Sequence, residues 1–283
     1  MPWPEVVAKD VQFLVSSILL RTKYKGKLPS LVCYPQFPSK KTSIYKISSA
    51  LGLRLTNKEI AHPKLVLFFE DATAKESAEA QYIRNQKHVL NHKCVDISKV
   101  KVDREHLKAF GYNTFIDPFT FEGIAVVKSD ENAMHDGVKI TCPINSKEVG
   151  KIYQILIDNS FNSTHVVDIR VPVFRGKIPL VYLKYKTNEK RFTNEVDYTE
   201  LKTTEEALTI EECRAIAAFC EGMSVDFAEL DVLRHNATGK IYVIDVNNTP
   251  YGPPSGMKAN ESKRAVEILS KAFNKEFLLP LAQ

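Results

Sequence analysis

Near residue 120 the chain changes texture, and this change limits the available folds more than any other feature of its 283 residues. Upstream, helix-like and strand-like patterns alternate. Residues 6–20 carry apolar side chains at helical spacing (Val7, Val11, Leu14, Ile18), and 31–34 form a short strand. Residues 43–51 read as a helix with Thr42 or Ser43 as its N-cap. Residues 65–69 are an unbroken apolar run ending at Glu70-Asp71, the signature of a buried parallel strand. Residues 73–86 read as a helix, with Thr73 and Glu76 spaced as a capping box. Such alternation predicts a βαβ arrangement and a small parallel sheet.

Downstream, strands follow one another directly: 123–127, 138–142, 152–157, 166–174 and 180–185. Asp136-Gly137 and Arg175-Gly176-Lys177 supply turn chemistry between them, the latter as a hairpin. A helix over 210–220 is introduced by a second capping-box pair, Thr209 and Glu212. Strands 227–233 and 240–246 flank the turn at 235–239, and a helix over 262–273 closes the chain. The expectation is an α+β protein: an α/β unit with a parallel sheet over 1–95, then a larger unit with antiparallel sheets over 96–283.

Composition narrows the class. Hydrophobic residues at 44% and charged residues at 26% exclude a disordered or collagen-like chain. The balance of 39 Lys+Arg against 34 Asp+Glu gives +5. This excess suits a small anionic ligand such as a nucleotide better than nucleic acid, which calls for a basic stripe. No apolar run approaches the ~18 residues of a membrane helix, and Glu5 and Asp10 sit where a secretory leader would be basic. The five cysteines are scattered without a C-x-x-C pair, which reads as reduced thiols and a cytoplasmic setting. His88 and His92 have helical i,i+4 spacing, but no second half of a zinc site accompanies them. Neither G-x-S-x-G nor a Walker A loop occurs.

The sharpest constellation is Glu229-Leu230-Asp231, a turn, then Asp245-Val246-Asn247. In a strand, residues two apart share a face. Glu229 and Asp231 therefore share a face of their strand, Asp245 and Asn247 share a face of theirs, and the turn makes Asp231 and Asp245 neighbours in one sheet. Two adjacent carboxylates repel, so they need a shared cation or a raised pKa. Two aspartates and an asparagine amide form the hard oxygen set that suits Mg²⁺ bridging phosphates.

At these residues the chain resembles the ATP-grasp superfamily, in which an acid on one strand and an acid-x-Asn motif one hairpin later hold the Mg²⁺ ions of ATP. Asp231, Asp245 and Asn247 match those positions. Ile124-Ala125-Val126-Val127-Lys128 is similar to the strand whose lysine contacts the nucleotide phosphates. Tyr153-Gln154-Ile155-Leu156-Ile157-Asp158 is similar to the hinge strand that pairs with adenine. Val167-Asp168-Ile169-Arg170-Val171 is similar to the strand whose arginine reaches phosphate or substrate. The loop at 129–137, with His135, corresponds to the one that folds over the phosphates, although it carries three acids and one glycine.

The resemblance implies ATP and Mg²⁺ as cofactors and a small-molecule substrate, with no nucleic acid or membrane partner; oligomeric state stays open. It implies Gln154, Ile155, Leu156, Ile157 and Asp158 against adenine, and Lys128, Lys186 and either Lys99 or Lys101 on phosphates. Arg170, Arg191 and Lys184 would face the transferred phosphoryl group. The implied activity is a ligase that phosphorylates a carboxylate and passes the acyl group to an amine. Asp at 245, where most ligases of this family have Glu, and the basic strand at Lys184 and Lys186 suit a kinase acting on a polyol or inositol-phosphate hydroxyl. A non-catalytic nucleotide-binding module is the third reading.

Overall fold

The computed structural model describes residues 28–131, 134 and 136–281; the helix expected over 6–20 and His135 lie outside them. The parallel sheet forms as the alternation predicts. Strands β1 (Ser30–Pro35), β2 (Arg54–Thr56), β3 (Leu65–Phe69) and β4 (Val89–Leu90) pair in the order β2-β1-β3-β4. Every residue of β3 is buried, which is why its sequence shows no polar alternation. Helix α1 (Ser43–Leu51) begins at Thr42, whose hydroxyl accepts the Tyr45 N–H, and stops at Gly52 in the left-handed region.

The helix expected over 73–86 does not form. That segment holds a 3₁₀ turn (Ser77–Glu79) and a one-turn helix, α2 (Gln81–Arg84). Thr73 is not a cap. Its carbonyl accepts the Ile97 N–H at 2.9 Å, and the Lys75 N–H donates to the Val95 carbonyl at 2.8 Å, so residues 73–75 are extended against 95–97. Tertiary pairing overrides local helix preference here.

Beyond this comes helix α3 (Lys99–Phe110), followed by β5 (Gly123–Ser129), β6 (Val138–Cys142) and β7 (Lys151–Ile155), an antiparallel sheet ordered β6-β5-β7. A five-stranded antiparallel sheet follows, made of β8 (His165–Phe174), β9 (Val181–Thr187), β10 (Tyr198–Lys202), β11 (Phe227–Arg234) and β12 (Ile241–Asn247), in the order β10-β9-β8-β11-β12. Helices α4 (Thr204–Ala207), α5 (Ile210–Gly222) and α6 (Ala259–Phe273) complete the chain. The turn after β8 has Arg175 at φ 48° and Gly176 at φ 74°, with Phe174 and Lys177 exchanging both backbone bonds. Two consecutive positive φ values are what a tight two-residue hairpin turn requires.

The five-stranded sheet has one apolar face and a second face that carries the charged residues beside apolar Phe174, Tyr182 and Phe227. Ile169, Val171, Val173, Val181, Leu230, Val232 and Val246 bury against α5 through Ile216 and Phe219, and against Val102 of α3. Thr209 and Glu212 form the expected capping box of α5. A second cluster joins Leu31, Ile44 and Leu67 of the parallel-sheet region to Phe174, Tyr182 and Phe227 and to Leu269 and Phe273 of α6.

β12 contains a bulge. Asp231 pairs with Asp245, but the next residue, Val232, pairs with Val243. Ile244 is the extra residue. Upstream of it, the odd positions Ile241 and Val243 face the core; downstream, Val246 does. The bulge thus turns Asp245 and Asn247 away from the core.

Candidate functional site

The charged face is organised by register. Tyr182, Arg170, Asp231 and Asp245 stand in one row across β9, β8, β11 and β12. In the neighbouring row Asp168 lies opposite Lys184. Arg170 Nε lies 2.8 Å and Lys184 Nζ 3.1 Å from the Asp231 carboxylate. Lys186 Nζ lies 2.8 Å from Asp168. Glu229, 1% exposed, accepts the Ser43 hydroxyl at 2.7 Å and faces Arg170 at 3.4 Å.

The acids divide by environment. Burial raises the Asp231 pKa, but Arg170 and Lys184 outweigh it and hold the carboxyl well below the usual range. Asp245 has no ion-pair partner among the described residues, and its compensation falls short. Burial, then the charge of Asp231, push it up to about 6, with Lys99, Lys128 and Arg170 opposing. Burial raises Glu229, which Arg170 and Ser43 counter in part. Burial brings the Lys128 ammonium down to about 8, with Asp245 opposing.

These side chains converge on a cleft of about 150 Å³ lined by Lys99, Lys128, Asp168, Arg170, Lys184, Lys186, Arg191, Asp231 and Asp245. A smaller apolar hollow adjoins it, bounded by Gln154, Ile155, Leu156, Ile157, Phe192, Leu233 and Ile244. The bulge that re-aims Asp245 also puts Ile244 in this hollow. The Arg191 guanidinium reaches across to the Ile157 carbonyl. On the other side a larger cleft of about 710 Å³ contains Asn247 and extends from Asp231 and Asp245 to α1.

Two expected residues stand elsewhere. Asp158 accepts the Ser160 N–H and hydroxyl at 3.0 and 2.6 Å and does not line the hollow. Lys101 donates to Glu105 at 2.8 Å, one turn along α3. Lys99 instead lines the cleft, and its ammonium donates to the Glu131 carbonyl. His135 lies outside the described residues. Two of the three acids of the 129–137 loop have partners of their own. Asp130 accepts the Val100 N–H at the start of α3, and Asp136 accepts Ser129 and the Lys151 ammonium, which holds its pKa well below the usual range.

Among the described residues, no group of three or more His, Cys, Asp or Glu side chains is placed to hold a metal. The oxygen set is two carboxylates and one amide, and it fits a hard divalent cation. Asp245 accepts only the adjacent Val246 N–H at 3.1 Å among the described residues, while Asn247 accepts the Thr249 N–H at 3.2 Å. Asp245 faces Asp231 across the ladder, so a cation between them would relieve the repulsion that raises its pKa.

A parallel-sheet unit followed by two antiparallel sheets is the architecture of the ATP-grasp fold. The structure is similar to that of the ATP-grasp ligase PsnB complexed with a phosphomimetic variant of minimal precursor, Mg and ADP: 12% identity, TM-score 0.56, covering 91% of this chain and 99% of that one. It is also similar to D-alanine–D-alanine ligase from Bacillus anthracis complexed with ATP, at 13% identity and TM-score 0.53, covering 89% and 98%. D-cycloserine synthetase DcsG is similar at 12% identity and TM-score 0.50, covering 87% and 99%. No protein-family model matches the chain, and no curated protein matches it in sequence.

Proposed function

We propose that this chain is an ATP-dependent ligase that phosphorylates a carboxylate and passes the acyl phosphate to an amine. The observation that carries the reading is the row Arg170, Asp231, Asp245 with Lys184 on one face of the five-stranded sheet, and Lys128 of β5 lining the same cleft from the three-stranded sheet. The ATP-grasp fold of the neighbouring ligases supports it.

In this reading the hollow at Gln154, Ile155, Leu156 and Ile157 receives adenine, and Lys128 and Lys99 neutralise phosphate charge. Asp231, Asp245 and Asn247 would hold Mg²⁺, which would supply positive charge to the ATP phosphates. Arg170, Lys184 and Arg191 face the transferred phosphoryl group. They stabilise charge that develops there without giving up a proton, which is the main protein contribution to phosphoryl transfer. The carboxylate attacks phosphorus, ADP leaves, and the amine then displaces phosphate from the acyl carbon. The domain division at 95 and a cytoplasmic setting belong to the same proposal; all five cysteines are free thiols, which agrees with the latter.

The test is incubation with ATP, Mg²⁺ and a metabolite extract, followed by phosphorus NMR. Free phosphate with a new amide is the expected result. A new phosphomonoester makes the chain a kinase, and nucleotide binding without turnover makes it a binding module.

A further inference from the structure

The larger cleft runs from Asp231 and Asp245 to the parallel-sheet unit, where Lys41, Lys46, Asp71 and Tyr251 line it. Its charges are uneven along its length. At the inner end every cation has a carboxylate: Arg170 and Lys184 share Asp231, and Lys186 has Asp168. At the outer end Lys46 has none. Its ammonium donates to the Gly252 carbonyl at 2.5 Å and forms no ion pair among the described residues. The acid whose charge acts on it is Glu229, already held by Ser43 and Arg170. Asp71 is engaged by the Thr249 hydroxyl at 3.1 Å.

An ammonium has three donors, so two remain for a ligand. Burial depresses the Lys46 pKa, the mark of a cation short of counter-charge. Lys41 carries a second, exposed ammonium at the mouth. Its backbone is tied to the same loop, the Lys41 carbonyl accepting the Gly252 N–H at 3.2 Å. Both lysines are thus tied to the 250–255 loop, and both stand on the side of the acid pair away from the adenine hollow.

We propose that this cleft selects an acceptor acid bearing a second anionic group, a carboxylate or a phosphate, which Lys46 with Lys41 binds while the reacting carboxylate points toward the cation site at Asp231 and Asp245. This rests on the ligase reading for the identity of the reacting group, but the anion site stands on its own geometry. A substrate with a neutral group at that position leaves the Lys46 ammonium desolvated and without an anion. Such mismatches discriminate more strongly than lost apolar contact.

The experiment is calorimetric titration of two matched probe pairs, succinate against succinamate and 3-phosphoglycerate against glycerate, with and without saturating ADP and Mg²⁺. The dianion of at least one pair should bind at least tenfold tighter than its partner. Lys46→Met should remove that preference and Lys46→Arg should keep it. Equal affinity within both pairs, no binding by any probe, or a preference that survives Lys46→Met overturns the proposal. A role for Lys46 confined to tethering the loop would weaken both members of a pair alike, leaving the ratio unmoved. The ADP arm separates the two readings. Absence of ADP binding counts against the ligase, whereas the preference measured without nucleotide still decides the anion site.

Discussion

Asp245 shows how one carboxylate responds to its position. Its pKa is raised to about 6, first by burial and then by Asp231. The folded value lies above the unfolded one of 3.8. Its contribution to stability is therefore fully present below pH 4 and is lost as pH rises through 6. Without Mg²⁺ the protein should gain about 2 kcal/mol at pH 7.5 on Asp245→Asn, a partly screened fraction of the charge penalty. Urea titration measures this, and an unchanged or lowered midpoint refutes it. Mg²⁺ binding at pH 5.5 should release a proton, read by calorimetry in buffers of different ionisation enthalpy. Asp245→Ala should abolish Mg·ATP turnover while the fold persists; undiminished ATP consumption would remove the acid from the site. Lys128 carries the opposite sign. Its ammonium titrates at about 8, so ATP affinity should weaken as pH rises through 8. Lys128→Ala should lower that affinity at least tenfold and erase the inflection. At this scale the pairing of Asp231 with Asp245 was legible because the short turn between their strands makes them neighbours. The choice between Lys99 and Lys101 was not, since it depends on where α3 begins. Lys46 was not legible either, because Gly252 meets it from 206 residues away.

Elements were legible where local pattern and tertiary demand agree. Helix α1 and strand β3 have the bounds that their caps and apolar runs indicate, and α5 starts at its capping box. The pattern failed for 73–86, where strand-like pairing with 95–97 competes with helix, and for α3, whose surface is mostly charged. The bulge in β12 left one trace in the sequence: the apolar positions shift from odd (Ile241, Val243) to even (Val246). The turn after β8 offers a test of how an element is seated. A Cβ on Gly176 would meet Ala217 of α5 at 3.0 Å, and φ is +74°. Gly239, in the turn before β12, has φ +68° with nothing within 4 Å. Left-handed strain alone costs an L-residue about 1–2 kcal/mol. Gly239→Ala should therefore cost about 1 kcal/mol, and Gly176→Ala at least 1 kcal/mol more, because α5 must also give way. Urea midpoints that fall equally would mean that the hairpin does not bear on α5.

Across the whole molecule the position of the site depends on a core that crosses residue 95. Phe174 and Phe227 stack at 5.4 Å, and Phe273 of α6 meets them edge-on at 6.0 and 5.9 Å. Leu31, Ile44, Leu65 and Leu67 of the parallel-sheet unit share this cluster. The same packing carries α1, with Ser43 and Lys46, to the charged sheet face. Alternation and hairpin patterns announce two kinds of sheet, but no local pattern can state that their cores merge. Phe273→Ala empties the centre of the shared cluster and should cost about 3–5 kcal/mol. If the cluster joins the two units into one cooperative structure, hydrogen exchange should quicken together at β1 and β3 and at β8 and β11. The anion preference assigned to Lys46 should then weaken in the variant before the fold is lost, because α1 is no longer held over the cleft. Should β1 and β3 lose protection while β8 and β11 keep theirs, the parallel sheet is a separately folding unit, and the cleft owes its shape to the Ser43–Glu229 and Lys46–Gly252 contacts alone.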